Sequence, residues 1–202
     1  MNDKHPTVSA DDALQRLVAG NERYLSGTSV PTPLHETMND LQYGQHPFAT
    51  VLGCSDSRVP PELIFDTELG ELFVIRVAGN VYSPEIGASL QYAGAHLNTQ
   101  LFVVLGHQGC GVVNAALLTR DRSEHHLSRI QLLVDLVLPG LPPYSAQLSP
   151  AQRTAQAVES NIRWTVNQIT ATPEARERMA EGKMKIVGAL FEISSGRVRF
   201  LE

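Results

Sequence analysis

Two cysteines occur in this 202-residue chain, Cys54 and Cys110, and both follow short apolar runs. Residues 48–53 lead into Cys54-Ser55-Asp56-Ser57-Arg58, and residues 101–106 lead into His107-Gln108-Gly109-Cys110. Two thiolates and one imidazole are soft to borderline donors that suit Zn²⁺, and a set of three leaves a fourth coordination position open for chemistry. Such a centre polarises water and lowers its pKa to about 7, giving a nucleophile at neutral pH. Two thiolates cancel the charge of the metal and blunt that effect, so a neighbouring group is needed.

Asp56, two residues beyond Cys54, is the obvious helper, and Arg58 lies two residues further on. The carboxylate could accept a hydrogen bond from metal-bound hydroxide, with Arg58 keeping it ionised and turned. It could equally swing onto the metal and close the fourth position. Without the cysteines and histidine, this Asp and Arg would read as solvated residues flanking a turn.

A centre built from both turns needs them side by side, and the rest of the pattern supplies a fold that does this. Residues 48–53, 72–77 and 101–106 are short apolar runs of the kind found in strands covered on both faces. Between the second and third, Ile86, Leu90, Ala93, Ala95 and Leu97 suit a crossover helix over 85–97. The economical solution is an α/β fold with a mostly parallel sheet, in which ligands bind beyond the carboxyl ends of the strands. Ser9 with Asp12 predicts a helix over 10–26, packed either on its own core or against a second subunit. Residues 27–46 read as connection with one short helix before Gly44. Further helices are predicted from Gly109 to Leu118, over 127–138, from the Ser149-Pro150 start, and from the Thr172-Pro173 start. Residues 185–191 and 197–201 close the chain as a hairpin. The whole reads as a single domain, with residues 1–46 as an N-terminal arm and connection and 47–202 as the α/β core.

A formal charge of −5 leaves no basic surplus for nucleic acid. The longest apolar runs fall far short of the roughly 20 residues of a membrane span. The first residues lack the apolar middle of a secretory signal, so a cytoplasmic address is expected. Two cysteines in a reducing compartment favour metal or thiol chemistry over a disulfide framework. The loop of a cysteine phosphatase places Arg six residues after Cys, whereas Arg58 is four after Cys54. Gly106, Gly109 and Gly111 do not make the dinucleotide-binding G-x-G-x-x-G.

Taken together, C-S-D-S-R at Cys54 to Arg58, G-H-Q-G-C-G around His107 and Cys110, and R-V-A-G-N at Arg76 to Asn80 resemble the β-class carbonic anhydrases. The resemblance extends from the N-terminal helix to the final hairpin. It implies a four-to-five-stranded mostly parallel sheet and a zinc lyase that reversibly hydrates carbon dioxide to bicarbonate and a proton through zinc-bound hydroxide. Cys54, His107 and Cys110 would be the ligands and Asp56 with Arg58 the catalytic pair; Asp56 would join the metal only in a closed resting state. The resemblance also implies a homodimer or homotetramer whose substrate pocket is lined from both subunits by Gln45, Phe73, Ala78 and Tyr92. Two departures stand out. Val77 follows Arg76 where the family frequently has Asn, and the Trp, Arg and Tyr of an inhibitory bicarbonate site in some bacterial members match Val51, Arg76 and Phe191. That inhibitory site is expected to be absent. The alternatives are a carbon disulfide or carbonyl sulfide hydrolase, or a noncatalytic zinc-binding regulatory protein of the same fold.

Overall fold

Five strands form one sheet in the order β2-β1-β3-β4-β5, in a computed structural model that describes residues 7–29 and 41–201. The strands are β1 (Ala49–Gly53), β2 (Leu72–Arg76), β3 (Leu101–His107), β4 (Lys185–Glu192) and β5 (Arg197–Leu201). The first four run parallel, and β5 returns antiparallel to β4 through the predicted hairpin. Every residue of β1 and β3 is buried, which is why these segments read as unbroken apolar runs rather than alternating ones. The register pairs Gly53 with Leu105, so β1 and β3 end side by side.

Helix α1 (Ala10–Ser26) starts as predicted, with the Ser9 hydroxyl accepting from the Asp12 N–H. It buries Ala13, Leu17, Gly20 and Asn21 within its own chain, which is the first of the two packings its sequence allowed. Asn21 joins distant parts of the chain: its Nδ2 donates to the carbonyls of Ile64 at 3.1 Å and Gly196 at 3.0 Å, and its Oδ1 accepts from Val198 N–H at 2.9 Å. A four-residue helix, α2 (Pro61–Ile64), follows β1; the Pro60-Pro61 pair hid it from the sequence reading. The crossover between β2 and β3 is α3 (Pro84–His96), with Leu90 and Ala93 buried as expected but Ala95 exposed.

After β3 come α4 (Gly111–Arg122) and α5 (Ser128–Val137). The first of these runs a turn past the predicted end at Leu118 and stops where Ser123 adopts a left-handed conformation. Helix α6 (Pro150–Thr170) opens with a complete capping box between Ser149 and Gln152 and packs across β3 and β4. Helix α7 (Pro173–Ala180) begins at the Thr172 cap. The short helix predicted before Gly44 falls largely on residues 30–40, outside the described residues. No helix among the described residues is long and apolar enough to cross a membrane.

Candidate metal centre

Because β1 and β3 end together, the two turns that follow them meet. One ligand atom each from Cys54, His107 and Cys110 lies within 4.8 Å of the others, and all three residues are buried, at 4%, 1% and 1% exposure. Local structure fixes each one. Gln108 donates its N–H to Phe191 O at 2.9 Å, and its side-chain oxygen accepts from Ser194 N–H, tying the turn after His107 to β4. Gly109 sits at φ 70°, a left-handed conformation that glycine adopts without strain, and this lets the chain reverse so that Cys110 faces back toward Cys54. Cys110 then stands at the N-cap of α4.

The imidazole of His107 is oriented by its neighbour, with Nδ1 3.1 Å from Gln108 O. That contact assigns the proton to Nδ1 and leaves Nε2 with a free lone pair. Nε2 is buried and has no hydrogen-bond partner. A buried polar atom without a partner is costly, and a metal ion at this point removes the cost. The two sulfurs give the same indication. The Cys54 thiol is pulled down from its ordinary pKa by a hydrogen bond from Cys110 and, less strongly, by His107 and the Gly79 and Asp56 N–H groups, against the effect of burial. Cys110 is pushed up because it donates that bond, and burial adds to the rise; the Val113 and Val112 N–H groups oppose it. A cation between the two sulfurs would favour the thiolate form of both. Two sulfurs and one nitrogen fit Zn²⁺.

Beside these three, Asp56 and Arg58 form a two-pronged pair, Arg58 Nε to Oδ1 at 2.9 Å and Nη2 to Oδ2 at 2.7 Å, with the Arg58 N–H also donating to Oδ1. The hydrogen bonds from Arg58 hold the Asp56 carboxyl well below the usual carboxylate range. Asp56 Oδ2 lies 3.9 Å from His107 Nε2, so an ionised carboxylate borders the ligand cluster while Arg58 holds both of its oxygens.

Two contributors to the site escaped sequence reasoning. Arg76 donates from Nε to Cys54 O at 2.9 Å and from Nη2 to Asp56 O at 2.6 Å, clamping the backbone of the C-S-D-S-R turn. These bonds are made with Val77, not Asn, as the next residue. Gly79 donates its N–H to Cys54 Sγ at 3.4 Å. The R-V-A-G-N string marked this loop, but no residue type announces a backbone donor.

The four pocket residues separate. Ala78 lies in a 3₁₀ turn with Gly79, next to Cys54. Gln45 lies before the amino end of β1, beyond the opposite end of a strand that spans roughly 16 Å. It lines a cleft of about 320 Å³ with Arg16, His46, Phe48, Glu71 and His96. Phe73 is near the amino end of β2, its ring centroid 6.0 Å from that of Tyr92, and Tyr92 in turn lies 5.0 Å from the His96 ring and is 46% exposed.

Comparison with known proteins agrees with this geometry. The sequence model of the carbonic anhydrase family matches residues 49–198. Carbonic anhydrase 2 of Mycobacterium tuberculosis is 34% identical over 194 residues, covering 95% of this chain and 93% of its own length. Among solved structures, the β-carbonic anhydrase CcaA superposes with a TM-score of 0.72 at 28% identity, over 95% of this chain and 88% of that one. A tetrameric β-carbonic anhydrase from Sordaria macrospora shares the fold, with a TM-score of 0.75 at 24% identity, over 94% of this chain and 97% of that one.

Proposed function

Because this chain belongs to the β-class carbonic anhydrases and is a carbonate dehydratase, we propose that Cys54, His107 and Cys110 hold one Zn²⁺ on which hydration of carbon dioxide depends. The observation that carries the reading is the buried, unpartnered Nε2 of His107 among two sulfurs. Zinc held there supplies the Lewis acidity that makes water a nucleophile near neutral pH. Arg58 keeps Asp56 ionised, and the carboxylate accepts a hydrogen bond from the attacking water and aims its lone pair at the substrate carbon. Bicarbonate leaves, and the released proton passes to buffer. Arg76 holds the turn that carries both Cys54 and Asp56, so the ligand and the carboxylate keep one relative position.

The substrate pocket is completed by a second copy of the chain. Gln45 in the loop before β1, Phe73 on β2 and Tyr92 on α3 lie toward the amino end of the sheet, away from Cys54, yet they are the residues suited to hold a small linear substrate: an amide for bicarbonate and two aromatic rings for a nonpolar gas. A homodimer, alone or paired into a homotetramer, brings them to the partner's zinc while Ala78 serves its own. The cytoplasm, where both thiols stay reduced, is the compartment in which this centre works.

The test is zinc content measured together with the carbon dioxide hydration rate from about pH 6 to about pH 9. One zinc per chain with activity that a chelator abolishes supports the reading. A zinc-free preparation that retains full activity overturns it.

A further inference from the structure

Behind the ligand cluster, a buried amide contacts the loop whose Gly79 N–H touches a ligand sulfur. Gly79 is held at both of its backbone polar groups: its N–H donates to Cys54 Sγ at 3.4 Å, and its carbonyl accepts from Asn161 Nδ2 at 2.9 Å. Gly79 is buried and lies at φ 80°, and a Cβ there would come within 3.1 Å of the Val112 side chain, so the position suits glycine alone. Asn161 lies on α6 and is 1% exposed.

Its depth is set by the residue next to it. A Cβ on Gly106 would sit 2.5 Å from Ile162 Cγ1, and one on Gly188 2.8 Å from Ile162 Cγ2, so α6 rests on bare backbone of β3 and β4. This close seating brings the amide of Asn161 within reach of the Gly79 carbonyl. The Oδ1 of the same amide has no hydrogen-bond partner, a cost that a leucine of similar size would avoid. A half-satisfied amide at a buried helix position therefore points to the one bond it does make.

We infer that Asn161 is a positioning residue for the metal centre, acting through Gly79 to keep an N–H donor on the Cys54 sulfur. The inference rests on Cys54 being a metal ligand. When the Asn161 donor is lost, a buried carbonyl is left without a partner and the loop turns to satisfy it. Cys54 Sγ then loses its N–H, which raises the electron density on the sulfur and frees it to turn away from the other two ligands. Partners of this kind behind a ligand typically contribute 10- to 100-fold in metal affinity.

The test compares Asn161→Leu and Asn161→Ser with Thr165→Val, which changes another buried polar residue on the same helix. Each protein is loaded with Co²⁺ to read its sulfur-to-metal charge-transfer band, and zinc affinity is measured by chelator competition. The expected result is a band moved to longer wavelength and zinc affinity weakened on the order of tenfold in both Asn161 variants, with Thr165→Val like the parent. A parental band and affinity in the folded Asn161 variants overturn the inference, as does an equal change in Thr165→Val. Should neither Asn161 variant fold, the parent protein loaded with ¹¹³Cd decides. Scalar coupling between cadmium and the Gly79 amide proton supports the inference, and its absence overturns it. A parent protein that takes up neither cobalt nor zinc would instead refute the ligand assignment under Proposed function.

Discussion

The two ends of the parallel strands are built on opposite principles. At the carboxyl ends, Cys54, His107 and Cys110 are almost wholly buried, and at least five hydrogen bonds from Arg76, Gly79, Gln108 and Asn161 fix the turns that carry them. At the amino ends, Gln45 lines an open cleft together with His96, and Tyr92, packed between Phe73 and His96, leaves nearly half its surface to solvent. A metal centre tolerates no slack, because its ligands must meet one ion at fixed distances, so everything it needs comes from one chain. A pocket for a small gas needs shape and dryness, and both can be supplied when a second molecule docks.

The first way to break this contrast is Cys54→Ser. Zinc should be lost and hydration should fall by about a thousandfold or more, with the local fold loosened. Stoichiometric zinc in that variant, read by elemental analysis, would contradict the ligand set. Asp56→Asn should lower kcat by about 10² to 10⁴ while zinc stays bound, since it removes an acceptor and no ligand; a zinc-replete variant with parental turnover defeats the role given to Asp56.

The most direct test of the open end uses mixtures. Gln45→Ala should lower kcat/KM by roughly tenfold, the loss of one hydrogen bond to a charged product. Gln45→Ala and Cys54→Ser chains co-refolded in equal amounts should recover roughly a quarter of the parental activity, because half the dimers are mixed and in each of these the intact zinc of one chain meets the intact Gln45 of the other. If the mixture does no better than its components, Gln45 does not serve a partner's site.

How legible each end was in the sequence follows from the same contrast. Cys54 and Cys110 could be read because cysteine is scarce here and each follows an apolar run; parallel pairing then had to bring the turns together. The strands and longer helices were legible for similar reasons, since caps such as Ser9, Ser149 and Thr172 mark their starts. Gly79 and Asn161 were not legible as a chain of contacts. A backbone N–H has no residue signature, and nothing in sequence spacing links position 161 to 79. Helix α2 is a single turn after two prolines and has no periodicity to detect. Gln45, Phe73 and Tyr92 were marked only through family resemblance, because the role proposed for them involves a second molecule that one sequence does not describe.

The smallest effect calibrates surface electrostatics away from both ends. Hydrogen bonds from Arg199, then Arg163, hold the Glu159 carboxyl below its usual range. A carboxyl with a depressed folded pKa contributes stability above its unfolded pKa, near 4.3, and that contribution fades as pH falls through the folded value. Glu159→Gln should therefore cost about 0.5 kcal/mol at neutral pH, a modest figure because the pair is partly exposed, and progressively less in acid as the carboxyl is protonated in the folded state too. Urea unfolding at neutral and at acid pH reads the difference, and an equal cost at both would assign it to packing.

The amide of Asn21 has a consequence for synthesis. Its acceptors and donor lie at positions 64, 196 and 198, so α1 cannot finish docking until residues 196–198 have left the ribosome. Until then α1 hangs unfastened on the nascent chain, and loss of β5 would release that helix along with the strand.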